Sequence, residues 1–302
     1  MRPGRDLLRI GATLRLDATA GEISAAFRQE GVPVIVLRGP AIRHTFYADG
    51  SYRAYDDVDL LVPPQGLEQA RSVLARHNFS PVIESSESQP WVRDDGLTID
   101  LHTTLVGIGA DPGSVWNELS RHAETVALGA EAIDIPARPS LAFVVAIHAA
   151  QHGSSAGKAL SDLERALAQV PADEWKAAAA IADRLQARPA FGAGLRLLVA
   201  GSERADQLGL PVERTEEISL RAASAPPTAI GLQRLAATRG VVNKLRVIAV
   251  ELVPAPAFMR SMYPLARRGP LGLAASYAWR PFWLLRHLGP AVRARRRARR
   301  DS

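Results

Sequence analysis

Three carboxylates have a spacing that suits chemistry. Asp57 and Asp59 lie in Arg53-Ala-Tyr-Asp-Asp-Val-Asp-Leu-Leu-Val62, and Asp100 lies in Leu97-Thr-Ile-Asp-Leu-His102. If the first stretch is a β-strand, parity sorts it. Side chains alternate faces, so Asp57, Asp59 and Leu61 share one face while Val58, Leu60 and Val62 share the other. The second face is wholly apolar and packs on a core. The first then points outward, with its two carboxylates about 7 Å apart at Cα. Asp56 has the wrong parity and belongs to the turn. Crowded carboxylates repel unless a cation sits between them, and oxygen ligands on one strand face suit a divalent metal. The alternative is a half-buried edge strand with two solvated acids, because the pattern is short.

Two flanking stretches bear on that choice. Val34-Ile-Val-Leu-Arg-Gly-Pro-Ala-Ile-Arg43 reads as an apolar strand, then Arg38-Gly39, then a helix. A glycine turn opening a helix presents backbone N–H groups to phosphate. Downstream, Asp100 and His102 share one strand face, and Ile99 and Leu101 the other. Acids on neighbouring strands can hold two metals against a phosphate.

Strand–Gly–helix, Arg-x-x-x-Asp-x-Asp-Leu-Leu-Val and Ile-Asp-Leu-His together resemble the nucleotidyltransferase superfamily related to DNA polymerase β. More narrowly, they are similar to the family of uncharacterised nucleotidyltransferases, over roughly residues 30–165. That family reads Lys-Gly where this chain has Arg38-Gly39, and it shares the long spacing from Gly39 to Asp57. The resemblance implies that Asp57, Asp59 and Asp100 hold two Mg²⁺ or Mn²⁺ ions and that Arg38, Gly39 and Arg53 meet the NTP. It also implies that Asp100 takes the acceptor hydroxyl's proton. His102, His148, His152, Lys158 and Asp162 would line the acceptor or nucleotide cleft. The implied reaction moves an NMP from an NTP to a hydroxyl acceptor and releases pyrophosphate. The acceptor is a small molecule, protein or RNA.

Some residues keep more than one reading. Arg53 contacts phosphate, steadies Asp57 and Asp59, or is a surface loop arginine. His148 and His152 are four apart on one helix face. They are zinc ligands, polar members of a helical core, or part of the cleft. Two other functions stay open. One is a catalytically weak protein that binds nucleotide or a partner. The other is a metal phosphohydrolase using His102, His148, His152 and Asp162.

The whole chain sets bounds. At 302 residues and 47% hydrophobic content, one large or two modest domains with sizeable cores are expected. The absence of cysteine excludes disulfides, thiolate zinc sites and cysteine nucleophiles. No N-terminal apolar run suggests secretion, and the longest apolar run, near Leu141–Ala150, is far short of a membrane span. A soluble cytoplasmic protein is the expectation. From Arg239 to Ser302, fourteen Lys/Arg face only Glu251 and Asp301, a net of +12, so the rest of this +6 chain carries −6.

The elements that must position these residues follow in order. Residues 5–30 read as two helices, the second opened by a capping box, Thr19-x-x-Glu22. Gly39 begins a helix to about Ala48, and Pro64 one to about His77. Phe79–Ile83 is a short strand, and 84–90 is polar and mobile. Residues 91–93 and 97–103 pair as a hairpin across Asp94-Asp-Gly96. A short helix surrounds Trp116, and 124–128 pairs with 132–135. Pro136–Pro139 marks a boundary, after which the pattern is helical. The fold class is therefore α/β (α+β): a small mixed sheet over 1–136, which the resemblance makes an N-terminal nucleotidyltransferase domain, then an all-α domain over 137–290. Residues 291–302 are a basic, disordered tail, with acidic lipid or nucleic acid as its possible partner.

Overall fold

The computed structural model describes residues 3–82, 88–212, 216–223, 225–238, 240–254 and 256–299. Its first element, α1 (Pro3–Gln29), is one helix where the sequence predicts two. Thr19 does not cap a new helix; its hydroxyl donates to the Arg15 carbonyl at 2.9 Å, a back-bond available in mid-helix. Leu16, Ala20, Ile23 and Phe27 form the buried stripe. Gly21 has a packing reason: a Cβ there would come within 2.8 Å of the Glu131 side chain.

The chain continues through β1 (Ile35–Val36), α2 (Pro40–Phe46), β2 (Val58–Leu61), α3 (Leu67–Arg76), β3 (Phe79–Pro81), β4 (Ser88–Arg93) and β5 (Thr98–His102). The five strands make one sheet in the order β1-β2-β5-β4-β3. β2 and β5 are parallel and the other neighbours antiparallel, so the small mixed sheet is present. Ser88–Pro90 belong to β4, whereas Ile83 and the polar stretch up to residue 87 lie outside the described residues.

Beyond the sheet come α4 (Pro112–Ser120), capped by the Asp111 carboxylate on the Ser114 N–H, and the hairpin β6 (Glu124–Leu128) with β7 (Glu131–Ile135). Helices then follow without further described strands: α5 (Arg138–His152), α6 (Gly157–Gln169), α7 (Ala172–Arg184), α8 (Arg188–Leu195), α9 (Val199–Gln207), α10 (Glu216–Ala222), α11 (Pro227–Ala237), α12 (Val241–Leu252), α13 (Pro256–Met262) and α14 (Pro270–Ala298). A mixed α/β first part precedes a helical second part, as the sequence pattern predicts.

One buried apolar cluster runs from Leu16 to Ile218 and draws on both parts. In α5, residues 140–147 are all buried, so this helix is apolar on every side there because it is packed on every side. A smaller cluster joins Leu220, Ala229, Ala291 and Ala298.

The predicted disordered tail is corrected in part. Residues 291–298 are the last turns of α14. Arg295 pairs with Glu216, Arg299 approaches Glu216 at 3.6 Å, and Ala291 and Ala298 are buried. An acidic partner and an apolar seat offset the self-repulsion that argues for disorder. Residues 300–302 lie outside the described residues.

Candidate active site

The sheet register gathers the acids. β2 and β5 lie side by side with Asp59 abreast of Asp100 and Leu61 abreast of His102. Abreast residues project to the same face, and His102 shares that face with Asp100 by parity. Donor atoms of Asp59, Asp100 and His102 all lie within 4.8 Å of one another, a spacing that can hold a metal ion. Asp57, one residue before β2, lines the same cleft outside that compact set.

The face expected to point outward is roofed instead. All of β2 is buried, Leu61 included. His148, Gln151 and His152 of α5 and Lys158 of α6 close a cleft of about 420 Å³ over it. Arg38, Gly39, Arg53, Asp57, Asp59, Asp100, His102, His148, His152 and Lys158 all line this cleft. Of the residues the sequence nominates, only Asp162 does not.

Asp162 is corrected by its partners. It is fully buried and receives Arg53 through Nε at 2.7 Å and a terminal nitrogen at 2.6 Å, and the Tyr47 hydroxyl at 2.8 Å. A carboxylate so engaged is a structural anchor. Arg53 is correspondingly neither a surface arginine nor a partner of Asp57 and Asp59. Its remaining terminal nitrogen donates to the Gly39 carbonyl at 3.3 Å, so the anchor reaches the turn before α2. Asp56 lies in the bend before β2, as expected of a turn residue; it is exposed and pairs with Lys158 at 2.9 Å.

Gly39 adopts φ +57°, ψ −106°, and a Cβ there would meet the Tyr55 ring at 3.3 Å. The turn needs glycine, but it offers fewer backbone donors than expected. Pro40 has no N–H, and Ala41 already donates to the Arg38 carbonyl at 3.2 Å.

The electrostatics divide the three acids. Burial, then the Asp59 charge, pushes the Asp57 carboxyl up to about 6 against the pull of Arg38. Burial and Asp59 likewise raise Asp100. Asp59 moves the other way. Burial opposes its ionisation, but Arg38 and His102 outweigh burial and hold the carboxyl well below the usual range. Arg38 donates to Asp59 Oδ1, and His102 Nε2 lies 3.0 Å from the same oxygen. Arg38 Nε is buried with no protein partner. Burial and then the Arg38 charge hold His148 well below its ordinary value, so it is neutral at pH 7. Its ring meets His152 edge-on at 4.5 Å between centroids. The donor set is mainly oxygen, clustered and anionic, which fits a divalent cation such as Mg²⁺.

Residues 10–200 match the family described as uncharacterised nucleotidyltransferase. The chain belongs to that family. No curated protein matches it. Among solved structures, the solution structure of the antibiotic-resistance factor ANT(2'')-Ia is similar at 15% identity, over 59% of this chain and 94% of that one, with a TM-score of 0.42. ANT(2'')-Ia in complex with adenylyl-2''-tobramycin aligns at 13% identity over 56% and 97%, with a TM-score of 0.42. An antigenic nucleotidyltransferase-like protein from Paracoccidioides brasiliensis aligns at 13% identity over 57% and 92%, with a TM-score of 0.36.

For this nucleotidyltransferase-family chain, the cleft residues that sequence reasoning missed include Gln151, Tyr55 and Ser88. Gln151 has a usable signal, since it lies three residues after His148 on the same helix face. Tyr55 precedes the acids and lines the cleft with its hydroxyl on Asp17. Ser88 has no local signal; it arrives by pairing opposite His102.

Proposed function

We propose that this chain is a metal-dependent nucleotidyltransferase that moves an NMP from an NTP to a hydroxyl acceptor and releases pyrophosphate. The observation that carries this reading is the β2–β5 register, which sets Asp59 beside Asp100 in the cleft that Asp57 also lines. Family membership supports it. Residues 1–136 supply the acids, and residues from 137 supply the wall made by α5 and α6.

Asp57, Asp59 and Asp100 would hold two Mg²⁺ or Mn²⁺ ions, with His102 against Asp59. Bound there, such ions would neutralise phosphate charge and lower the pKa of an acceptor hydroxyl. Asp100, with its raised carboxyl, would take that hydroxyl's proton. Arg38 supplies positive charge where it develops on the transferred phosphate, and its fork differs in geometry from the lysine of the family pattern. Arg53 holds the turn at Gly39 in place through the Gly39 carbonyl. Lys158 is exposed, and its surface pair with Asp56 is weak enough to yield to a phosphate. Neutral His148 and the adjacent His152 and Gln151 form the acceptor side.

The nucleotide-binding reading also has support, because Arg38 and His102 already engage Asp59. The phosphohydrolase reading loses Asp162, whose oxygens are spent on Arg53 and Tyr47. The test is incubation with each α-³²P-labelled NTP, Mg²⁺ or Mn²⁺ and cell lysate, with Asp57→Asn as control. Label transferred by wild type alone is the expected result, and equal labelling by Asp57→Asn refutes the assignment. NTP binding without transfer to any fraction moves the conclusion to nucleotide binding.

A further inference from the structure

The C-terminal helix carries its own pattern. α14 buries one stripe made of Gly272, Ser276, Arg280, Ala291 and Ala298. At 3.6 residues per turn the opposite stripe, within about 60° either side of Phe282, is continuous along the helix. Its first half is apolar: Leu271 is 87% exposed, Trp279 56%, Phe282 66% and Leu285 67%. The Trp279 and Phe282 rings stack on each other at 6.4 Å between centroids. Its second half is basic: Arg286, Arg293, Arg296 and Arg297. Residues 270–298 contain no Asp or Glu. Among the described residues, the acids that reach α14 are Glu216 and Glu251, and they pair with Arg295, Arg299 and Arg280. The four outer arginines have no described acidic partner.

We infer that this outer face of α14 docks on an anionic membrane surface. The two halves ask for different chemistry from one occupant. Four large exposed apolar side chains on one face seek an acyl boundary, and four arginines in line with them, without an acidic partner among the described residues, seek phosphate. A lipid headgroup layer supplies both within one plane. Trp279 suits the boundary, where an amphipathic ring keeps its apolar body in and its N–H out. Aliphatic Leu271 and Leu285 in the same stripe favour lipid over nucleic acid, whose bases would call for stacking surfaces alone. No described helix is long and apolar enough to cross a membrane, so the mode is surface docking. The helix lies apart from the acid cleft, since no α14 residue lines it.

The test is flotation of the full chain with vesicles of phosphatidylcholine alone and of phosphatidylcholine mixed with phosphatidylglycerol. Wild type should float with the mixed vesicles and stay behind with the neutral ones, less so as salt rises. Arg293→Gln/Arg296→Gln/Arg297→Gln should lower partitioning about a hundredfold, at about a fivefold loss per charge. Trp279→Ala/Phe282→Ala should lower it at least about tenfold while leaving the thermal melt unchanged. No flotation, or equal flotation with both vesicles, overturns the inference. So does binding to a single-stranded oligonucleotide in preference to the mixed vesicles. A dimer in light scattering that Trp279→Ala/Phe282→Ala dissolves would assign the face to a second copy instead.

Discussion

Asp162→Asn tests the anchor beneath the cleft. Asp162 is wholly buried and Arg53 is 4% exposed at its side chain, so neither has water to fall back on. Asparagine keeps the shape and can still accept from Tyr47, but it turns an amide toward the guanidinium and removes the counter-charge. Breaking one partner of a buried ion pair costs about 3–5 kcal/mol, because the other charge is stranded. At about 2 cal/mol/K per residue, a chain of 302 residues melts with about 0.6 kcal/mol per degree, so the expected loss in Tm is about 5–8 °C. The assay is a thermal melt by circular dichroism, with Asp56→Asn as reference. Asp56 makes the exposed pair with Lys158 and should leave the melt unchanged. If Asp162→Asn melts with Asp56→Asn, Arg53 is solvated or re-partnered in the native state and the anchor reasoning is wrong.

Asp57→Asn and Asp59→Asn should both lose transfer but part in stability. Asp57→Asn relieves a crowded carboxylate and should hold or raise the Tm, whereas Asp59→Asn strands buried Arg38 and costs about 3–5 kcal/mol; equal melts would refute the division of roles. The metal-free protein should lose stability as pH rises from about 4 through 6, because Asp57 keeps its proton to about 6 in the fold and gives it up earlier when unfolded. That group alone is worth about 3 kcal/mol; urea melts across this range should show the fall and Mg²⁺ should remove it, and a flat or rising profile contradicts the sign. Gly39→Ala forces a positive φ on an L-residue facing the Tyr55 ring, at about 1–2 kcal/mol or more. Its transfer rate should fall further than that of Gly50→Ala, and equal rates would show that the turn tolerates a side chain.

The acidic core of the site was legible because strand parity is local and strict. Asp59, Asp100 and His102 could be placed on common faces from spacing alone, and only their register needed the structure. Arg53 and Asp162 were not legible as a pair, since 109 positions separate them and nothing local marks a buried arginine. The capping-box reading at Thr19 failed because a short pattern of polar residues also fits a helix interior, where the hydroxyl finds the carbonyl four residues back. The tail failed for a different reason. Charge repulsion is visible in the sequence, but Glu216, 79 positions upstream of Arg295, is not visibly its neighbour. Extended spacing between Gly39 and Asp57 gave no hint that Tyr47 would turn to Asp162.

The Arg53–Asp162 contact also sets a timetable for synthesis. A chain emerging from the ribosome makes β2 long before α6, so Arg53 waits more than a hundred residues for its counter-charge. Parallel pairing of β2 with β5 is itself a delayed, non-local step. The turn at Gly39 therefore gains its final support only once α6 has left the exit tunnel and docked. A fragment ending at residue 136 would contain every acid of the cleft and yet leave Arg53 without its counter-charge. Such a truncation should be an aggregation-prone intermediate, which makes the helical half a folding requirement for the acids.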